Sequence, residues 1–304
     1  MQSTADLKVC VIGLGSMGFG MASSLLRAGF SVTGYDLNTD AIARLVTLGG
    51  TSAQSPAEAA LRADIVLSVV VNAAQTETVL FGKDGAVGAM AAGGVILSCA
   101  TMPPDAARAF SARAEEMGIG YLDAPISGGA VRAAAGELTI MASGAAAVFA
   151  LARPVLDCIA AKVYELGEQA GTGAAFKIVN QLLAGVHIAA ACEAITFAKA
   201  MDLDIAKVYE VITASAGNSW MFENRVPHIL EGDYTPRSAV DIFTKDLGIV
   251  ADMGRDMKFP TPIASMALQM FVMTAAAGMG RDDDASVARM IAGLAGLDLP
   301  GMER

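Results

Sequence analysis

Apolar residues in the first half of the chain come in short unbroken runs, separated by longer stretches with helical spacing. Residues 8–12, 31–35, 65–70, 95–98, 120–122 and 138–142 read as strands, with helices at 18–28, 40–48 and 103–117. Strands alternating with helices predict βαβ units and a mainly parallel sheet. Helices cover both faces of such a sheet, so its strands lack a polar side. Val66-Leu67-Ser68-Val69-Val70-Val71 has that character. After about Gly171 the alternation stops. Residues 174–201 read as one long helix, apolar around its circumference, and further helical segments follow through Ala277. A helix without a polar face is predicted to be covered by other helices, including those of a second subunit. The expected fold is therefore α/β. A doubly wound sheet domain spans residues 1–170, and a long helix joins it to an all-helical domain spanning 171–304.

Residues 259–280 carry no charge and are long enough to span a bilayer on count alone. Pro260, Pro262, Ser265, Gln269 and Thr274 interrupt the run. They favour a helix buried between subunits or in the core of the helical domain.

Composition narrows the functional classes. Of 304 residues, 54% are apolar and 17% charged, which excludes disorder as the main state. A net charge of −10 argues against nucleic acid and anionic membranes, whose binding needs extended positive surfaces. Cys10, Cys99, Cys158 and Cys192 show no C-x-x-C spacing and read as small core residues, so no zinc site is expected. A reducing, cytoplasmic setting fits. The glycine-rich turn at Gly13 leaves no room before it for a cleavable signal peptide.

That turn is the most informative segment. Gly13-Leu14-Gly15-Ser16-Met17-Gly18 follows a predicted strand and opens a predicted helix. This is the context in which G-x-G-x-x-G binds a dinucleotide in a Rossmann domain. Gly13 permits the tight turn, Gly15 lets backbone approach a pyrophosphate, and Gly18 lets helix pack on strand. Asp36 closes the second strand, where a carboxylate accepts from ribose hydroxyls and repels a 2′-phosphate, so NAD is expected over NADP. Val70, Asn72 and Thr101 lie at the ends of later strands and are expected to border the same crevice. Asn72 reads equally as a helix cap, and Thr101 as a turn residue.

Ser127-Gly128-Gly129 follows another strand and offers backbone N–H groups and a hydroxyl to an anion, or is simply a loop. Lys177, Asn180 and Gln181 share one face at the start of the long helix. A lysine in so apolar a segment is either a proton-trading group with a lowered pKa or a snorkelling structural residue.

Together these segments resemble the β-hydroxyacid dehydrogenase family, which includes 3-hydroxyisobutyrate dehydrogenase and tartronate semialdehyde reductase. Four blocks match in order over nearly the whole chain: 13–18, 123–129, 171–181 and Lys245-Asp246-Leu247. The resemblance implies NAD as cofactor and a small carboxylate as substrate. It implies Lys177 as the acid/base and Asn180 as the group orienting the substrate oxygen. Ser127, Gly128 and Gly129 would hold the substrate carboxylate. Thr101 would lie between cofactor and substrate, with Lys245 toward the nicotinamide and Asp246 close by.

Gln181 and Ser238 depart from the family pattern, which has asparagine and often phenylalanine there. The added polarity suits a sugar acid better than a methyl-branched one. Segment 218–227 fits the same reading, unless Trp220 and Phe222 are core anchors. Reduction of tartronate semialdehyde, oxidation of 3-hydroxyisobutyrate, and a non-catalytic dinucleotide-binding role are the alternatives. His187 and His228 read as structural, and Asp282-Asp283-Asp284 as a solvated helix cap. A homodimer or homotetramer through the helical domain is expected.

Overall fold

A computed structural model describes residues 7–302. The chain begins β1 (Lys8–Ile12), α1 (Ser16–Arg27), β2 (Ser31–Tyr35), α2 (Thr39–Thr47), β3 (Thr51–Ser52) and α3 (Pro56–Ala60). It continues with β4 (Ile65–Ser68), α4 (Ala73–Phe81), β5 (Val95–Ser98), α5 (Pro104–Glu116) and β6 (Gly120–Asp123). These six strands form one parallel sheet in the order β3-β2-β1-β4-β5-β6. The order reverses between β1 and β4, which opens a crevice at the carboxyl ends of those strands.

Period-two alternation explains why both faces are covered. Val9, Val11, Ile65, Leu67, Val95 and Leu97 belong to one buried cluster, with Met21 and Leu25 of α1. Their neighbours Cys10, Ile12, Val66, Ile96 and Tyr121 belong to the other, with Phe110 of α5. A strand buried on both sides has no room for a polar stripe.

One predicted strand lies elsewhere. The chain goes on through β7 (Ile126–Ser127), α6 (Gly129–Ala135), β8 (Leu138–Ala142), α7 (Ala146–Ile159) and β9 (Ala160–Glu165). β8 pairs antiparallel with β7 and parallel with β9 in a separate three-stranded sheet. The short α6 returns the chain directly, which permits antiparallel pairing and not a crossover.

The remainder is helical: α8 (Thr172–Ala200), α9 (Ile205–Thr213), α10 (Trp220–Glu231), α11 (Val240–Asp256), α12 (Pro262–Thr274) and α13 (Val287–Ala295). The described chain divides into two compact units after Lys177, within the second turn of α8. Ile188, Cys192, Val226, Phe243, Leu247 and Phe271 lie in the core of the second unit.

Neither long apolar helix is wholly buried in the chain. On α8, Phe176, Val179, Leu183 and Phe197 are exposed, and on α12 Ile263 and Met266 are. The segment 259–280 thus buries only the Ala264, Ala267, Phe271 and Thr274 face of α12 before a π-helical turn at Ala275–Met279. By length and composition alone, Thr172–Ala200 and Pro262–Met279 could cross a membrane, yet each buries part of its surface here.

Candidate active site

The three glycines of the loop differ in what surrounds them. Gly13 has φ +92°, and a Cβ there would lie 2.4 Å from the Val69 carbonyl oxygen. A Cβ on Gly18 would lie 1.9 Å from the Gly13 carbonyl oxygen, so this glycine brings α1 against the turn. Gly15 is different: a Cβ on it would meet nothing within 4 Å. Its α-carbon faces open space at the start of α1, whose first turn has no side-chain cap. Uncapped N–H groups at a helix start, beside a glycine that keeps the approach clear, suit a pyrophosphate. Leu14 is buried, whereas Ser16 is exposed and Met17 packs in part against the core.

Asp36 lies at the end of β2. Its Oδ2 accepts from the Leu14 N–H at 2.5 Å and its Oδ1 from the Asn38 N–H at 2.7 Å. The carboxylate is therefore tied to the glycine loop itself. Gly13 N–H also donates to the Tyr35 carbonyl at 2.9 Å. Val70 lies beside Gly13, its Cγ1 3.4 Å from where a Cβ would stand. Asn72 caps α4, with Oδ1 accepting from the Gln75 N–H at 2.8 Å. Thr101 is half-buried beyond β5.

Ser127 ends β7 and is partly buried. Gly128 and Gly129 follow with φ +137° and +77°, conformations that favour glycine. Space for a Cβ at Gly129 is open.

The start of α8 is held by a residue that sequence reasoning did not single out. Asp123 is buried at the end of β6, and its Oδ2 accepts from the N–H groups of Gly171 at 2.9 Å and Ala174 at 2.8 Å. Ser143 Oγ donates to the same atom and accepts from the Gly173 N–H at 2.9 Å. The glycines make this approach possible: a Cβ on Gly173 would lie 2.3 Å from the Met141 carbonyl oxygen, and Gly171 has φ +94°. Burial pushes Asp123 up to about 6, against the opposing pull of the Ala174 and Gly171 N–H groups.

Lys177 follows one turn after Gly173 and is only 7% exposed. Asn180 and Gln181 stand one turn further along the same face. Asn180 Nδ2 donates to Gln181 Oε1 at 2.9 Å, and Gln181 Nε2 donates to Asp246 Oδ2. Asp246 Oδ1 pairs with Lys245 Nζ at 2.7 Å. Four predicted residues thus form one polar chain between α8 and α11.

Ser238 precedes α11, and its hydroxyl bonds to the Asp284 carboxylate. That carboxylate overturns one expectation, because Asp283 and Asp284 are fully buried and not solvated. Asp284 receives both Nε and Nη2 of Arg225, at 2.6 and 3.0 Å. Asp283 Oδ1 lies 2.8 Å from His228 Nδ1 and also accepts from the Ala285 N–H. The Arg237 guanidinium donates to His228 Nε2 at 2.8 Å. Arginine only donates, so Nε2 accepts and the proton of His228 sits on Nδ1, facing Asp283. Burial pushes Asp284 up to about 6 against the pull of Arg225. For Asp283, burial is outweighed by His228 and backbone donors, which lower it.

His187 lines a cavity of about 850 Å³ with Phe197, Met201, Val208 and Val211, which holds none of the predicted site residues. Trp220 is 48% exposed, whereas Phe222 is buried against Tyr209. All four cysteines are free, and burial pushes Cys99 up to about 12. Among the described residues, no cluster of His, Cys, Asp or Glu is placed to hold a metal ion.

Residues 8–167 match the NAD binding domain of 6-phosphogluconate dehydrogenase. Residues 171–291 match the NAD-binding domain of NADP-dependent 3-hydroxyisobutyrate dehydrogenase. The chain is 55% identical to L-threonate dehydrogenase of Cupriavidus necator, over 96% of this chain and 97% of that protein. It is 45% identical to L-threonate dehydrogenase of Escherichia coli K12, over 99% of each. The crystal structure of 3-hydroxyisobutyrate dehydrogenase from Salmonella typhimurium superposes with a TM-score of 0.90 at 48% identity, covering 94% of this chain and all of that one.

Proposed function

Since the chain belongs to the 3-hydroxyisobutyrate dehydrogenase-type family of NAD-dependent oxidoreductases, we propose that it oxidises L-threonate to its 2-oxo acid. The observation that carries this reading is Lys177, a buried amine on α8 followed one turn later by two carboxamides. Together with 45–55% identity to curated L-threonate dehydrogenases, it supports a polyhydroxy acid as substrate.

In this reading Lys177 Nζ takes the proton of the C2 hydroxyl as the C2–H bond breaks. Positioned proton transfer of this kind contributes about 10²–10⁴-fold to rate. NAD, held by the Gly13–Gly18 turn and Asp36, supplies the hydride acceptor. Ser127 and the N–H groups of Gly128 and Gly129 bind the carboxylate, and Asn180 and Gln181 orient the hydroxyls. Thr101 and Lys245 flank the nicotinamide end of the cofactor, with Val70 and Asn72 along its length. Ser238 offers its hydroxyl to a further substrate hydroxyl. A homodimer or homotetramer is supported by the exposed Phe176, Val179 and Phe197 of α8 and Ile263 and Met266 of α12. The free cysteines, three of them buried, suit a cytoplasmic setting.

The test is NADH absorbance on mixing purified protein, NAD and L-threonate at neutral to alkaline pH. NADH should accumulate, and Lys177→Ala should abolish turnover while sparing NAD binding. Silence of the native protein with L-threonate overturns the substrate, and full activity in the variant overturns the role of the lysine.

A further inference from the structure

Asp246 does more than balance the charge of Lys245. A carboxylate only accepts, so Gln181 must turn its NH2 toward Asp246 and its carbonyl away. That carbonyl accepts from Asn180 Nδ2 at 2.9 Å, which holds the Asn180 amide with its own NH2 toward Gln181. Oδ1 is left as the end of Asn180 remote from the relay. A side-chain amide can otherwise turn over at little cost in shape. Here one buried carboxylate sets two of them.

The relay depends on a close approach of α8 to α11. Gly185 lies one turn after Gln181, and a Cβ on it would sit 2.9 Å from Leu247 Cδ1 and 3.0 Å from Phe243 Cδ1. Leu247 is the residue after Asp246. A side chain at 185 would have to displace Leu247 and Phe243, which pack α11 against α8 beside the relay.

Building on the L-threonate reading, we infer that Asp246 is a positioning residue. Acting through Gln181, it fixes Asn180 Oδ1 as the acceptor for the C3 hydroxyl, next to the carbon that is oxidised. An acceptor there selects a donor. A hydroxyl satisfies it, whereas a C–F group of similar size cannot donate and leaves Oδ1 unpaired. Sites built to hydrogen-bond a hydroxyl discriminate strongly against analogues lacking it.

Asp246→Asn keeps the shape and reverses the polarity. Lys245 only donates and so retains the carbonyl of the new amide, which leaves NH2 facing Gln181. Gln181 and then Asn180 must turn over, and Asn180 now offers NH2.

The experiment compares kcat/KM for L-threonate and its 3-deoxy-3-fluoro analogue in the native enzyme, D246N, Q181L and the double variant. The native enzyme should prefer the hydroxyl by about 100-fold or more. D246N should cut that preference at least about tenfold, mainly through KM, as one reversed hydrogen bond allows. In the Q181L background D246N should change the preference no further, because the relay is already cut. An unchanged preference in D246N alone, or an equal drop with and without Gln181, overturns the inference. Neutron diffraction of the native protein and D246N locates the amide protons without turnover. Both amides should be reversed, and an unreversed Gln181 in D246N overturns the relay. If the native enzyme is silent on L-threonate, only the substrate reading fails, and the neutron comparison still decides.

Discussion

The N–H of Leu14 donates to Asp36 Oδ2 at 2.5 Å, joining the middle of the glycine turn to the carboxylate that ends β2. The turn proposed to hold the phosphates and the carboxylate proposed to hold the ribose are thereby joined by one hydrogen bond. Asp36→Ala should raise KM for NAD by about tenfold or more while leaving kcat close to native. It should also narrow the preference for NAD over NADP, because the repulsion of a 2′-phosphate is gone. Steady-state kinetics with both cofactors checks this. An unchanged cofactor ratio would remove Asp36 from ribose selection.

Gly15 and Gly18 should separate cofactor affinity from stability. Gly15→Ala places its methyl in open space, so the melting temperature should hold while NAD affinity falls. Gly18→Ala drives a methyl into the Gly13 carbonyl, and overpacking of this kind costs about 1–3 kcal/mol. Thermal melts with and without NAD distinguish the two. A destabilised Gly15→Ala with native NAD affinity would contradict the assignment.

Asp123 carries a pH prediction. Its folded value, about 6, lies above the ordinary carboxylate range near 4. The folded state therefore holds the proton more tightly, and this group favours folding most below pH 4. That contribution is lost as pH rises through about 6. Asp123→Asn keeps an acceptor oxygen for Gly171 and Ala174 but has no charge to bury. Relative to native, it should gain on the order of 2–3 kcal/mol between pH 4 and pH 7 in urea titrations. Asp123→Ala orphans both N–H groups and should lose about 1–3 kcal/mol for each. A flat difference between native and D123N across that window would refute the buried-charge account.

Arg225 and Asp284 form a buried pair with two hydrogen bonds. Removing one partner strands the other, so Asp284→Ala should destabilise by about 3–5 kcal/mol. Replacing both by apolar residues of similar volume should cost far less, by the same argument. Chemical denaturation of the single and double variants is the check. Equal losses would mean that the stranded charge is not the cause.

Much of the sheet was legible because parallel strands buried on both faces leave a continuous apolar run. β1 and β5 fall where the pattern puts them, and the bounds of β2 and of β8 in the second sheet match as well. β3 and β7 have two residues each, and β9 is largely exposed, so none leaves such a run. The strand–turn–helix around Gly13 and Gly18 was readable because its geometry is local. Asp123 was not, since its partner Ala174 lies 51 residues away. The three acids at 282–284 misled for the same reason. Arg225, which neutralises Asp284, lies 59 residues earlier, and nothing local distinguishes a buried acid from a solvated one.

The Asp123 clamp also sets an angular reference for α8. A helix turns 100° per residue. With Gly171 and Ala174 pinned to one oxygen, the compass direction of Lys177 is fixed by counting three residues onward from Ala174. One residue inserted between Ala174 and Lys177 would swing the amine a quarter-turn or more, with every contact at the clamp intact. The short stretch from clamp to amine is thus a gear with a fixed number of teeth, more sensitive to length than to the identity of the residues within it.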